Sequence, residues 1–392
     1  QDSETADSET QDSETADSET QDSETADSEA QDSETVDSET VDPDTEPSVC
    51  GDGVRSSDEF CDDGNHTPLD GCAPDCQPSP SCFNSGPCEQ ICGDGIVVGN
   101  EECDDGNREG GDGCSESCET EADYTCSTGC IGINCTVSLK VYYRDFVEDD
   151  EDFQNDACGG GEEGTVENLL DAMGKPVASS IAANQCIFNL DKWYAGVPDI
   201  SGELRLYRRF SPNTAYVNRY GENGEKWRDL MGKTYNGTPV FFPVDDLNTD
   251  MAPADIPPEY NSSGNWVLES DFVENASNHN FYFTSEMIYW FEYVKGADAS
   301  IEIIGDDDVW VFVNGHLAID LGGTHVPKSG SVTLDTPTAS RFGLSDGNVY
   351  AIRIFHAERK KTGSTMQIQL DKIKSVQSVC APSSTVIPPW NP

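Results

Sequence analysis

The sequence predicts a mainly β protein in which an acidic repeat and a cysteine-rich region precede one sheet domain. Three observations lead to this fold class. Residues 1–49 contain no aromatic side chain, residues 50–135 are dominated by glycine, aspartate and cysteine, and nearly all aromatic residues lie beyond them. In that last part, apolar residues alternate or form short runs at 137–143, 309–313, 349–356 and 366–370, a pattern typical of strands. Helical periodicity is scarce, and 166–173 is the best candidate helix.

These changes of composition divide the chain into five segments. We predict an acidic stalk or linker at 1–49, a cysteine-rich repeat with its linker at 50–91, a second repeat with its junction at 92–135, an antiparallel β-sandwich at 136–380 and a tail at 381–392. The sandwich segment is long enough to bury one sizeable core.

The acidic segment repeats the pentapeptide x-Asp-Ser-Glu-Thr through residues 1–40. Its 49 positions hold 19 acidic residues and no Lys or Arg, so it has little to bury and repels itself strongly. We expect an extended, disordered stalk; the alternative is that neighbouring subunits or divalent ions order it. The formal net charge of −53 for the whole chain argues against nucleic acid and anionic membranes as partners.

Eight cysteines fall into two copies of one spacing. The intervals in each copy are 11, 11 and 4 residues, which indicates two homologous units too small to fold around an apolar core alone. We predict disulfides in both copies, with three connectivities open in each. Thiolate zinc is the alternative, and no second close cysteine pair supports it. The cysteines concerned are Cys50, Cys61, Cys72, Cys76, Cys92, Cys103, Cys114 and Cys118.

The two copies also share the motifs CGDG, CDDGN and DGCxxxC. This combination resembles the myxococcus-type cysteine-rich repeat (DUF4215-like), which occurs in tandem on surface proteins of bacteria and some protists. The carboxylate and amide oxygens of these motifs are suitable ligands for calcium. They predict a second set of calcium sites, at Asp62, Asp63, Asn65 and Asp70 and at Asp104, Asp105, Asn107 and Asp112.

The densest apolar run of the chain ends in Asn314-Gly315, a dipeptide typical of a type I′ hairpin turn. A second strand, His316–Leu321, follows it. Counting outward from the turn places Val309 opposite Asp320, so that Asp320 returns beside the triplet Asp306, Asp307 and Asp308. Four converging carboxylates repel one another unless a cation neutralises them, and all-oxygen ligands select calcium before magnesium. A solvated acidic turn is the alternative.

The stretch GDDDVWVFVNGHLAIDLGG resembles the signature of the fibro-slime family, which is similar to the PA14 β-sandwich of yeast flocculins and other surface adhesins. The resemblance implies a PA14-like sandwich and a calcium ion that holds sugar hydroxyls. It places a pair of aspartates joined by a cis peptide bond at Asp306 and Asp307, and it lets the loop 357–364 supply the second half of the site. The predicted metal ligands are then Asp306, Asp307, Asp308, Asp320 and Glu358, and the predicted glycan-binding residues are His325 and Arg359.

Three of these assignments have open alternatives. Asp308 stands where the PA14 lectins usually have glycine, so the ligand assignment within the triplet is open. Glu358 and Arg359 would equally well pair with each other on the surface. His325 follows a glycine turn, a position where a histidine is more often structural.

No HExxH, GxSxG or Walker motif occurs, and we predict that the protein is not an enzyme. We predict a secreted or cell-surface, calcium-dependent carbohydrate-binding adhesin; the alternative is a structural subunit of an extracellular filament, sheath or matrix, with copies of itself as partners. Sixteen cysteines, five Asn-x-Ser/Thr sequons and the lack of a signal peptide or long apolar run lead us to expect a processed extracellular glycoprotein without membrane insertion.

Overall fold

A computed structural model describes residues 49–57, 59–65, 69–73, 76–82, 86–129, 136–146, 163–180, 190–194, 200–208, 215–218, 234–235, 238–239, 241–244, 281–360 and 363–383. All of them belong to one compact unit, Pro47–Pro392. The acidic repeat, four of the five sequons and the tail beyond residue 383 lie outside the described residues, so the expectations for them stay predictions.

Within these ranges the chain forms fifteen strands and two short helices, α1 (Leu190–Tyr194) and α2 (Thr336–Arg341). The strands are β1 (Tyr124–Thr128), β2 (Thr136–Asp145), β3 (Ile200–Arg208), β4 (Ala215–Asn218), β5 (Thr234–Tyr235), β6 (Thr238–Pro239), β7 (Phe283–Glu292), β8 (Ser300–Gly305), β9 (Asp308–Val313), β10 (His316–Leu321), β11 (Lys328–Thr333), β12 (Val349–Glu358), β13 (Met366–Asp371), β14 (Lys374–Ser375) and β15 (Ser378–Pro382). The predicted mainly β class is confirmed, and the four runs predicted as strands lie within β2, β9, β12 and β13.

The large sheet is antiparallel and has the strand order β10-β9-β12-β7-β2-β3-β4-β13-β8-β11, with β14 paired to β7. It folds over, so that strands far apart in this order pack across one core. Its two end strands approach closely, because a Cβ at Gly330 of β11 would lie only 2.3 Å from Ile319 of β10. Glycine at this position lets the ends of the sheet meet.

Strand β9 is buried on both faces, as its continuous apolar sequence predicts. Val309 and Val311 belong to the main core, together with Ile303 of β8. Trp310 and Phe312 point to the opposite face, where they pack in a second cluster. The predicted turn is also present, since Asn314 and Gly315 have φ values of 50° and 73°.

The best candidate helix, at 166–173, is not helical in the structure. The described segment 163–180 runs as turns and isolated bridges along the edge of β10, where Leu170 N–H donates to the Gly315 carbonyl (3.1 Å) and Leu317 N–H donates to the Asn168 carbonyl (2.9 Å). These bonds satisfy the backbone groups of an edge strand, which outweighs a weak helical preference. Among the described residues, no helix has the length and apolar character needed to cross a membrane.

The cysteine-rich region is held by nested disulfides, and the prediction of a disulfide-rich region is confirmed. In each copy one bridge spans 26 residues and encloses a bridge that spans 11. The pairs are Cys50–Cys76 around Cys61–Cys72, and Cys92–Cys118 around Cys103–Cys114; Cys82–Cys88 closes the link and Cys126–Cys380 joins β1 to β15.

The second copy and the link pack on the outer face of the sandwich. Ile96 and Val98 share an apolar cluster with Tyr142, Ile288 and Trp290 of β2 and β7. Backbone bonds reinforce this contact, since the N–H of residue 88 donates to the carbonyl of residue 349 (2.9 Å) and that of residue 97 to the carbonyl of residue 376 (2.8 Å). This part of the cysteine-rich region is therefore a covering layer of the sandwich.

Candidate functional site

The hairpin β9–β10 differs from its predicted register beyond the turn. Val313 lies opposite His316 as expected, but a bulge between Leu317 and Ile319 shifts the strand by one residue. Asp320 consequently lies opposite Trp310. The predicted register places it opposite Val309. The prediction was wrong here because an extra residue in one strand leaves no signal in the apolar pattern.

Asp320 is engaged by backbone groups in this position. Its carboxylate accepts the N–H of Gly164 (2.6 Å) and of Gly322 (3.1 Å), which holds segment 163–180 against the hairpin. Burial raises the pKa of Asp320, and these N–H groups oppose the shift. The contacts give Asp320 a structural task, and its role as a metal ligand stays a prediction.

Asp306 and Asp307 lie at the turn between β8 and β9, and the peptide bond between them is cis, as the resemblance implies. Both side chains are buried, with 4% and 3% exposure. Asp306 Oδ1 accepts the N–H and the hydroxyl of Thr365, both at 2.6 Å. Asp307 accepts the N–H of His325 at Oδ1 (3.2 Å) and of Arg359 at Oδ2 (3.0 Å). Three separate segments thus anchor the pair.

Glu358 ends β12 beside this pair and is fully buried. Its Oε1 accepts the N–H of Lys360 at 3.1 Å. Although the Ser364 side chain lies beside it, Oε2 has no hydrogen-bond partner of normal geometry among the described residues. A buried carboxylate oxygen in this state is unfavourable unless another group reaches it.

The pKa values of the three carboxyl groups are all raised. Burial is the largest cause in each, and it raises the pKa of Asp306 and of Glu358 well above their ordinary values and that of Asp307 to about 7. The charge of Asp307 adds to the shift at both of the other groups. Among the described residues no salt bridge reaches the three acids. The charge of Arg359, which pairs with Asp308, partly opposes the upward pKa shift at Asp307.

Asp308 differs from its neighbours because it has an internal partner. Its Oδ2 lies 2.6 Å from Arg359 Nε, and its Oδ1 accepts the Gly323 N–H at 2.5 Å. The Arg359 guanidinium also lies over the Trp193 ring, 5.3 Å from its centroid. The alternative in which Arg359 pairs with Glu358 on the surface is therefore wrong. The guanidinium is buried, so it is not presented to solvent as a glycan-binding group would be.

His325 makes its ring contacts within its own loop. Nδ1 lies 2.9 Å from the Val326 carbonyl oxygen and Nε2 lies 3.0 Å from that of Leu321. With its N–H bond to Asp307, these contacts fit the structural alternative for His325. Its contact with a glycan stays a prediction.

Sequence reasoning missed Thr365, His356 and Ser285, which surround the aspartate pair. His356 Nε2 lies 2.9 Å from the Asp306 carbonyl oxygen, and its Nδ1 lies 3.1 Å from Ser285 Oγ. A polar residue at a core-facing position of a buried strand was the available signal, since His356 follows Ile352 and Ile354 at intervals of two.

The acids predicted as calcium ligands in the repeats have two kinds of surroundings. Asp62 and Asp104 each accept four backbone N–H bonds, which engage both carboxylate oxygens. The other acids form close pairs in which the charge of one carboxylate helps to raise the pKa of the other, after burial as the largest cause. In each pair an asparagine donates to one carboxylate at 3.2 Å. These pairs are Asp63 with Asp70 beside Asn65, and Asp105 with Asp112 beside Asn107. Calcium at these positions stays a prediction.

Side-chain ligand atoms of three or more His, Cys, Asp or Glu residues converge within 4.8 Å at three places in the described part of the chain. Each group includes a cysteine that is already in a disulfide, so the thiolate zinc alternative has no free thiolate there. The set Asp306, Asp307 and Glu358 is not among these groups.

Comparisons with known proteins identify both regions. The family model described as "Domain of unknown function (DUF4215)" matches residues 47–77 and 81–119, and the PA14 domain model matches residues 298–381. The chain thus carries two DUF4215 repeats followed by a PA14 domain, and the resemblances to these two families are confirmed. The PA14 match includes the aspartate pair, Glu358 and Thr365.

Among curated proteins, the chain is similar to Protein psiB of Dictyostelium discoideum, with 37% identity over 33% of this chain and 20% of psiB. Protein psiR of the same organism is 26% identical over 60% of this chain and 21% of psiR. The matched part is about a fifth of the length of these relatives.

Solved structures resemble the chain only distantly. A PA14 sugar-binding domain from an RTX adhesin is 11% identical with a TM-score of 0.25, over 62% of this chain and 97% of that domain. A β-glucosidase from Kluyveromyces marxianus is 17% identical with a TM-score of 0.18, over 23% of this chain and 11% of the enzyme.

Proposed function

We propose that the PA14 domain binds glycans through a calcium ion and belongs to a secreted or cell-surface adhesin. The observation that carries this proposal is the buried carboxyl cluster of Asp306, Asp307 and Glu358. Three carboxylates at this depth repel one another, and a bound divalent cation is the simplest group that neutralises them at neutral pH.

The residues present fit a hard cation. Asp306 and Asp307 are anchored by N–H and hydroxyl donors, which fix the direction of their oxygens, and Glu358 Oε2 is available. Because the three carboxylates do not all converge within 4.8 Å, Asp306 and Asp307 would hold the ion and Glu358 would complete or neutralise the site. Calcium, when bound, supplies coordination positions for sugar hydroxyls.

The same surroundings favour binding over catalysis. A glycosidase places a general acid and a second carboxylate on either side of a cleft that the substrate enters. Here the three carboxyl groups are at most 4% exposed, and each accepts at least one backbone N–H bond. Such groups suit ion coordination better than proton transfer to a polysaccharide.

The cysteine-rich region supports the extracellular part of the proposal. Six disulfides occur among the described residues, and such bridges persist in oxidising compartments. The net charge of −53 further favours neutral or cation-bridged glycans over anionic partners.

The test is binding of the full chain to a panel of glycans and insoluble polysaccharides, in calcium and again with a chelator. We expect binding that the chelator abolishes and that Asp307→Asn removes. Glu302→Gln is the matched control, because it removes one carboxylate charge from β8 of the same sheet without touching the cluster. Circular dichroism checks that both variants remain folded.

Two outcomes would contradict the proposal. Glycan binding that survives both the chelator and Asp307→Asn would place recognition elsewhere. Absence of glycan binding, together with calcium-driven oligomers in light scattering, would instead support the structural-subunit alternative.

A further inference from the structure

Ser285 and His356 form a buried polar pair beneath the aspartate turn. They lie opposite each other in the register of β7 and β12, and both side chains are fully buried. Ser285 Oγ lies 3.1 Å from His356 Nδ1, and His356 Nε2 lies 2.9 Å from the carbonyl oxygen of Asp306. The carbonyl they reach belongs to the peptide unit that joins Asp306 to Asp307.

The direction of each hydrogen bond follows from the acceptor at the end of the chain. A carbonyl oxygen can only accept, so Nε2 carries the hydrogen and donates to Asp306. In a neutral ring Nδ1 is then a bare acceptor, and the Ser285 hydroxyl donates to it. Every hydrogen-bonding atom of the ring is satisfied, and the ring needs no charge.

The position of the ring is fixed by packing as well as by hydrogen bonds. Phe241 and Phe283 contact it with centroid distances of 5.6 Å and 5.5 Å. On the other side of the turn, Thr365 holds the Asp306 carboxylate. The backbone of Asp306 is therefore held from the core side by His356, while its carboxylate is held from the loop side.

We infer that Ser285 and His356 are positioning residues for a hard divalent cation at Asp306 and Asp307. They hold the Asp306 carbonyl, which fixes the peptide plane and thereby the directions in which both carboxylates leave the backbone. This role deepens the proposed calcium site and rests on it. Outer hydrogen-bond partners of this kind typically change metal affinity about 10- to 100-fold when they are removed.

The experiment measures calcium affinity of the full chain by isothermal titration, with terbium luminescence as a second probe. We expect His356→Leu to weaken calcium binding about 10- to 100-fold, because it removes the donor to Asp306. His356→Gln is the conservative variant, since its amide N–H can reach the same carbonyl, and we expect it to restore part of the affinity. Ser285→Ala removes one oxygen atom and should weaken binding by less than His356→Leu.

Ile354→Val is the matched control for packing. It lies on β12 two residues before His356 and belongs to the main core, but it touches neither hydrogen bond. It should lower the melting temperature in chelator and leave calcium affinity unchanged. A merely structural role for His356 predicts the same pattern for His356→Leu, so the two variants separate the two roles.

The outcomes distinguish this inference from the proposed function. If the wild-type chain binds calcium and neither His356→Leu nor Ser285→Ala weakens binding, the positioning role is wrong and the calcium site stands. Equal affinities of His356→Gln and His356→Leu, both weakened, would also overturn it. If the wild-type chain binds neither calcium nor terbium, the proposed site and this inference both fail. Should His356→Leu not fold, the Ser285→Ala result decides.

Discussion

The two cysteine-rich copies have the same motifs and the same disulfide pattern, but they meet different surroundings. In the first copy Asp52 is exposed and Val54 has 68% of its surface exposed. In the second copy the equivalent residues, Asp94 and Ile96, are 9% and 1% exposed. The second copy is covered because it packs on the sandwich, whereas the first copy keeps this face open.

The consequence is visible in one equivalent pair of aspartates. Asp62 and Asp104 each accept four backbone N–H bonds, at 2.8–3.3 Å and 2.7–3.2 Å. Burial raises the pKa of both carboxyl groups, and the N–H bonds lower it. At Asp62 the N–H bonds have the larger combined effect, so its pKa is lowered. At Asp104 burial has the larger effect, so its pKa is raised. The same set of backbone hydrogen bonds therefore accompanies pKa shifts of opposite direction, because only Asp104 is buried by tertiary packing.

The largest difference in stability between equivalent substitutions in the two copies is expected for Asp104→Ala. Two of the four N–H groups that donate to the Asp104 carboxylate are buried, and the substitution leaves them without an acceptor. We expect the free energy of unfolding to fall by about 2–6 kcal/mol. Asp62→Ala is the matched change, and there water can replace the carboxylate, so we expect a clearly smaller loss of stability. Urea unfolding followed by tryptophan fluorescence measures both; equal losses would contradict the comparison.

A somewhat smaller loss of stability is expected when the apolar contact between the second copy and the sandwich is weakened. Ile96→Ala removes a fully buried side chain from the cluster around Trp290 and should cost about 2–5 kcal/mol. Val54→Ala, at the equivalent exposed position, should stay within about 0.5 kcal/mol of the wild type. Hydrogen exchange of β7 and β12 localises the change. Unchanged protection of these strands in Ile96→Ala would mean that the second copy does not stabilise the sandwich.

The smallest of the three differences between the copies is a pH dependence of stability that the buried acids of the second copy add. Burial and the charge of Asp104 raise the pKa of Asp94 to about 9 and that of Glu101 to about 7. The ordinary pKa values of these two groups are 3.8 and 4.5, so above that pH range they release their protons in the unfolded chain but keep them in the folded chain. Because the folded chain then binds more protons, its stability should fall as pH rises from about 4 to about 9.

Asp94→Asn tests this dependence, because the amide stays neutral at every pH. We expect the variant to be more stable than the wild type at pH about 8, by a few degrees in melting temperature, and to lose that advantage near pH 4. Asp52→Asn, at the exposed equivalent position of the first copy, is the control and should not reproduce the stabilisation seen at pH about 8. A parallel shift in both variants would show that coverage by the sandwich is not the cause.

Several features of the fold could be predicted because they depend on neighbours in the chain. The Asn314-Gly315 turn requires positive φ at two adjacent residues, and the continuous apolar run before it requires a strand buried on both faces. The intervals of 11, 11 and 4 between cysteines identified two disulfide-bonded units. The aspartate pair was located by the resemblance to the PA14 lectins, whose motif directly precedes the hairpin.

Other features were decided by contacts between distant parts of the chain. The bulge in β10 depends on how that strand packs, and the Cys126–Cys380 bridge joins residues 254 positions apart. The pairing of Asp308 with Arg359 similarly required β9 and the end of β12 to lie side by side.

Local geometry and residue type fix the strand and turn pattern, the twin repeats and the acidic cluster, so these could be read from the sequence. Contacts between distant segments fix which carboxylates lack a salt bridge, which cysteine-rich copy is covered and where His356 points. Burial and long-range pairing set those properties, because the free energy of a charge or a hydrogen bond depends on the groups that surround it in space.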